Sequence, residues 1–99
     1  MIFEIAEIEA KPGAEAALEA AVAEAAPLFK RAKGCHSLKL ERVIERPSFY
    51  RLVVGWETVE DHMVHFRESA DFQEWRRLAG PHFAAPPRVE HVAVAVEGF

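Results

Sequence analysis

Residues Tyr50–Trp75 read YRLVVGWETVEDHMVHFRESADFQEW, and the hydrophobic period changes halfway along. Tyr50, Leu52, Val54 and Trp56 alternate with Phe49, Arg51, Val53 and Gly55, the period of a β-strand. Past Glu57, Thr58-Val59-Glu60-Asp61 has the form of a capping box, a hydroxyl followed three residues later by an acid. The helix it opens is expected to break near Arg67-Glu68. Ser69 is then placed to cap a second piece that runs through Leu78 and ends at Gly80-Pro81.

Upstream, Phe49–Glu57 is the return arm of a hairpin. His36–Arg46 alternates between an apolar face (Leu38, Leu40, Ile44) and a wet one, and Arg46-Pro47-Ser48 makes a short connection. Before it, Ala14–Lys33 is a helix. Leu18, Val22, Ala25, Phe29 and Ala32 recur at spacings of three and four, Gly34 is the stop, and Pro27 is expected to kink it. Ile2–Ala10 is a first strand, with Ile2, Ala6 and Ile8 on one face and Glu4 set among them; Lys11-Pro12-Gly13 ends it. Downstream, Ala84–Pro87 is an extended linker and Arg88–Glu97 a last strand. The order β-α-β-β-α-β predicts an α+β, ferredoxin-like split βαβ fold with a four-stranded antiparallel sheet, in one domain spanning residues 1–99. Helices cover one face of such a sheet. Because several strands are apolar on both faces, a homodimer packed sheet to sheet is expected.

Composition sets limits on function. The 99 residues are 51% apolar, with 12 Lys+Arg against 16 Asp+Glu and a formal net charge of −4. A mildly acidic chain without a basic run is a poor match for nucleic acid. No apolar stretch approaches the ~20 residues of a membrane span. The N-terminal stretch lacks the layout of a signal peptide, and a single cysteine, Cys35, forbids an intrachain disulfide. A cytoplasmic protein is the expectation.

Chemistry-bearing residues concentrate in the helical part of the opening stretch. Stepping about 100° per residue from Val59 places Val59, Met63 and Phe66 on one narrow stripe, with His62 at its edge and His65 facing mostly outward. His62 is thus either a boundary histidine bonded to a backbone group or a residue that meets a cavity. His62-x-x-His65 has a spacing that can bring two imidazoles together, but no third ligand is signalled nearby, so no metal is assigned. Phe72, Trp75 and Leu78 form a stripe that is core first and pocket wall second, and Trp75 needs a partner for its indole N–H wherever it is buried. Trp56 reads as core, and His91 either lines the same cavity or bonds across strands. Arg51 and Glu4 are expected to pair or to face a dimer contact. No nucleophile elbow or phosphate loop is present.

Trp56-Glu57, Glu60-Asp61-His62, Phe66-Arg67, Ser69, Phe72 and Trp75, with Gly34-Cys35 and Ala85-Pro86-Pro87 before Glu90-His91, resemble the antibiotic biosynthesis monooxygenase (ABM) domain family over nearly the whole chain. The resemblance implies a dimeric α/β barrel with a pocket between each sheet and its helices. It also implies, from some relatives, oxidation of phenol-, quinol- or anthrone-type compounds by O2 without metal, flavin or haem. In that picture His62 is the base, and Phe66, Trp75, Trp56, Phe72 and His91 surround a small apolar or aromatic ligand. A non-catalytic ligand-binding or dimerising relative is the alternative. Haem-degrading relatives carry a histidine ligand where this chain has Arg76, so haem binding in that mode is not expected.

Overall fold

The computed structural model describes all residues, 1–99. Its elements are β1 (Ile2–Glu9), α1 (Glu15–Lys30), β2 (Cys35–Arg42), β3 (Phe49–Trp56), a π-helical segment π1 (Asp61–Phe66), α2 (Ala70–Ala79) and β4 (Arg88–Val92), with one 3-10 turn at Gly80–His82. The four strands form one sheet in the order β2-β3-β1-β4, and every neighbouring pair is antiparallel. This is the expected ferredoxin-like arrangement. No helix is long and apolar enough to cross a membrane.

The inner face of the sheet carries Glu4, Ala6 and Ile8 from β1 and Tyr50, Leu52, Val54 and Trp56 from β3, all buried. Against them pack Leu18, Val22, Ala25 and Phe29 of α1 and Trp75 of α2. Phe66 is the hub of an aromatic cluster, with ring centroids 4.9 Å from Phe29, 5.5 Å from Trp56 and 5.7 Å from Phe72. The outer face has no helix over it.

Several boundaries differ from the sequence expectation, each for a local reason. Helix α1 stops at Lys30 rather than Lys33, and it continues through Pro27, whose carbonyl still accepts from Arg31 N–H. Strand β2 stops at Arg42 rather than Arg46, because Val43–Ser48 folds into turns closed by Arg46 N–H to Val43 O and Phe49 N–H to Arg46 O. Strand β4 stops at Val92 rather than Glu97, since Phe3 pairs with Val92 and β1 has almost no residues left to pair with those beyond. Val94, Val96 and Phe99 are exposed as a result. Ala10 lies past the end of β1 and bridges to Phe83.

The largest departure lies in the segment after β3. Thr58 does cap it, accepting Asp61 N–H at 3.0 Å. The turn that follows is wider than an α-turn: Arg67 N–H bonds to His62 O, five residues back. Asp61, His62 and Phe66 therefore face inward, while Val59 and Met63 are exposed. The expected Val59/Met63/Phe66 stripe assumed an α-helical step, and the wider winding rotates the buried face onto His62. Ser69 caps α2 as expected, accepting Phe72 N–H at 3.2 Å. Asp61 docks on the exit of α1. Gly34 there has φ +77°, and a Cβ on it would lie 2.1 Å from Asp61 Oδ2.

Candidate active site

Beneath β1, between the inner face of the sheet and α2, lies a cavity of about 580 Å3. Leu52, Phe72, Trp75 and Phe83 make its apolar wall, and Ala84–Pro87 close one side. Two bonds between backbones hold that side: Lys11 N–H to His82 O at 2.9 Å and Ala84 N–H to Glu9 O at 2.7 Å. Its polar lining is Glu4, His62, Arg67 and Arg76.

Glu4 and His62 meet because two elements place them face to face. Glu4 sits at the third position of β1 on the inner face, 5% exposed, and π1 turns His62, 4% exposed, toward it. His62 Nε2 lies 3.3 Å from Glu4 Oε1, and the indole N–H of Trp56 donates to the same oxygen at 3.0 Å. The His62 ring stacks on Trp56 with centroids 5.3 Å apart. Its other nitrogen, Nδ1, lies 2.8 Å from His91 Nε2. His91 arrives there because β4 pairs it directly with Glu4 across the sheet. In the bond between His62 Nδ1 and His91 Nε2 one imidazole donates and the other accepts, while the approach of His62 Nε2 to Glu4 Oε1 is a close contact rather than a hydrogen bond.

Burial pushes the Glu4 carboxyl up to about 7, against the smaller lowering effects of the Trp56 N–H and the Arg67 charge. Burial also holds His62 down to about 4, helped by repulsion from His91 and Arg67. Near neutral pH the imidazole is therefore uncharged, and Glu4 is poised between its two forms. Arg67 and Arg76 make no ion pair, whereas Arg31, Arg42 and Arg77 are matched with Asp71, Glu19 and Glu74. The side chain of Arg67 reaches Phe72, with its guanidinium 5.7 Å from the ring centroid. The arrangement offers an apolar slot, one carboxyl near its neutral point and two unpaired guanidinium groups.

The residues singled out from the sequence fall into three groups. His62, Phe72 and Trp75 line the cavity. Phe66 and Trp56 lie in the core behind it, 4% and 0% exposed, because the wide turn drives Phe66 between Phe29 and Trp56. His91 touches His62 and is not part of the lining. The indole N–H of Trp75 has no acceptor within the protein. His65 is turned outward, 3.4 Å from Glu60, and no group of three His, Cys, Asp or Glu side chains is arranged to hold a metal ion. Glu4 and Arg51 do not pair: Arg51 stands opposite Glu7 on the outer face, while Glu4 stands opposite Val54 on the inner one.

Glu4 as a site residue, Arg67, Arg76 and the Phe83–Pro87 wall were not found by reading the sequence for chemistry. The one signal for Glu4 was an acid among Ile2, Ala6 and Ile8. Arg67 and Arg76 carry no such signal, since an arginine on an amphipathic helix is ordinarily solvated.

Comparison with known proteins bears on the fold and the family. The chain is 38% identical over 91 residues to the Bacillus subtilis (strain 168) protein YczJ, covering 92% of this chain and 96% of that one. It is 59% identical to a candidate antibiotic biosynthesis monooxygenase from Bordetella bronchiseptica, with a TM-score of 0.95 and coverage of 96% and 97% of the two chains. The structure of Rv0793 from Mycobacterium tuberculosis superposes with a TM-score of 0.78 over 99% of this chain and 98% of that one. At 21% identity that likeness speaks to the fold alone. The sequence matches the antibiotic biosynthesis monooxygenase pattern over residues 1–78, and the protein belongs to that family.

Proposed function

We propose that this protein is a cofactor-independent monooxygenase that oxidises a small phenol-, quinol- or anthrone-type compound with O2 in the cavity beneath β1. The observation that carries this reading is the meeting of Glu4, His62 and two unpaired arginines with an aromatic slot of about 580 Å3. Such a volume suits a compound of a few fused rings. Removing a phenolic proton makes the ring electron-rich enough to pass an electron to O2. Arg67 and Arg76 stabilise the oxyanion, and the apolar wall excludes water. One oxygen atom enters the substrate and the other leaves as water, the substrate itself giving up four electrons, so that a phenol becomes a quinone and a quinol a hydroxyquinone. For an anthrone, the CH2 carbon becomes C=O and supplies all four electrons that reduce O2.

Oxygen uptake on a panel of anthrones and hydroquinones tests this, comparing wild type with His62→Ala. Turnover is expected with at least one compound, lowered about 10- to 100-fold by the substitution, which removes a neighbour of Glu4. Wild-type protein inert on the whole panel sinks the reading. One observation favours the alternative, a non-catalytic ligand-binding module: His62 is buried and its Nδ1 is bonded within the protein to His91. Its signature is calorimetric binding of these compounds without oxygen consumption.

The working unit we propose is a homodimer packed sheet to sheet. On the uncovered outer face, Phe3, Ile5, Val53 and Val92 form an apolar centre. Beside them Glu41, Arg51, Glu7 and Arg88 follow one another across the four strands with alternating sign. A self-matching pattern of this kind suits a two-fold axis. Light scattering at micromolar concentration is expected to give twice the chain mass, and a monomer there rejects the dimer.

A further inference from the structure

We infer that Glu4, through its Oε2 atom, is the group that takes the phenolic proton, and that His62 and His91 are positioning residues that hold it. This rests on the monooxygenase reading above and names the base that the reading requires.

The two oxygens of Glu4 are not equivalent. Oε1 receives the Trp56 N–H and lies against His62 Nε2. Oε2 makes no hydrogen bond within the protein, yet no buried side-chain oxygen is left sealed without a partner. It is therefore open, and Glu4 is the one carboxylate that lines the cavity. His62 is the weaker proton acceptor: its Nδ1 is bonded to His91 Nε2, and burial with the His91 and Arg67 charges holds the ring down to about 4. The Trp56 N–H fixes one carboxylate oxygen, with the His62 ring packed beside it, and the other oxygen is left free for a ligand, as a third group orients a base in hydrolytic triads.

The proton balance is simple. The phenolic O–H bond breaks, its proton goes to Oε2, and the negative charge moves from the carboxylate to the phenolate, beside Arg67 and Arg76. The groups facing Glu4 are His62 from π1, Arg67 just beyond it, His91 from β4 and the Trp56 indole from β3. From β2, Cys35 also feels its charge. None of these is an anion near neutral pH, so the carboxylate and the incoming phenol compete for one proton without a second acid between them.

The experiment compares wild type, Glu4→Gln and His62→Gln by oxygen uptake from about pH 5 to 9, with kcat and KM separated. Glu4→Gln is expected to lower kcat about 10^2- to 10^4-fold with KM within about threefold. His62→Gln is expected to lower it less and to move the acidic limb of the pH profile, because it acts through Glu4. Near-normal kcat in Glu4→Gln overturns the inference while leaving the monooxygenase reading in place. The same follows if the loss in His62→Gln equals that in Glu4→Gln and the pH limb does not move. If wild type oxidises nothing on the panel, the functional reading fails and 4-nitrophenol judges Glu4 separately. A visible phenolate band should then form on binding to wild type and be lost in Glu4→Gln with binding retained; an equal band in both overturns it. A 13C NMR titration of the wild-type glutamate carboxyls needs neither turnover nor a folded variant. One carbon should titrate near neutrality and respond to 4-nitrophenol, and its absence overturns the inference.

Discussion

At the scale of single residues, Glu4 and His62 pull stability in opposite directions as pH changes. The Glu4 carboxyl is raised from 4.5 to about 7, so the folded protein keeps a proton that the unfolded chain has released. That contribution is complete below about pH 4.5 and is lost as pH rises through about 7. His62 is lowered from 6.5 to about 4, so its contribution is complete above about 6.5 and lost as pH falls through about 4. Between these limits the two slopes nearly cancel. Urea unfolding of Glu4→Gln should then show stability rising with pH from about 4 to 6.5 more steeply than in wild type, whereas His62→Gln should show it falling from about 4.5 to 7. An unchanged slope in both variants contradicts the opposed pair. The sequence made His62 visible, as one of two histidines on a helical stretch. It did not make Glu4's role visible, because the acid's meaning depends on His91, 87 positions further on, arriving opposite it in the sheet.

At the scale of elements, the order of strands and helices was readable because period two and period 3.6 leave different marks. The winding of π1 was not. An α-turn and a π-turn differ by one hydrogen-bond step, and Asp61–Phe66 is too short to show its period in the sequence. That step moves Phe66 from a wall into the core. Phe66→Ala should accordingly cost about 3–5 kcal/mol in chemical denaturation. Phe72→Ala, at the cavity, should cost less and mainly weaken binding of an aromatic ligand. Reversed costs would return Phe66 to the wall. The cap of α2 gives a cleaner figure: Ser69→Ala should remove about 1 kcal/mol through loss of the bond to Phe72 N–H, measured the same way.

At the scale of the whole molecule, the outer sheet face is where the proposed dimer is put to the test. Placing a lysine at Val53, in the apolar centre, should shift the light-scattering mass from two chains to one while circular dichroism stays native. A dimer that survives this change has its contact elsewhere. The backbone bonds from Lys11 to His82 and from Ala84 to Glu9 carry a different consequence. They tie the Phe83–Pro87 wall to the end of β1, so it moves with the sheet rather than as a separate flap. An incoming molecule then has little chain to order, and most of its interaction free energy survives as affinity. Discrimination among guests falls to the outline of a fixed mould. The Lys11 and Ala84 amides should exchange hydrogen slowly with or without a guest, and rapid exchange before binding that slows afterward would show the wall closing on its guest.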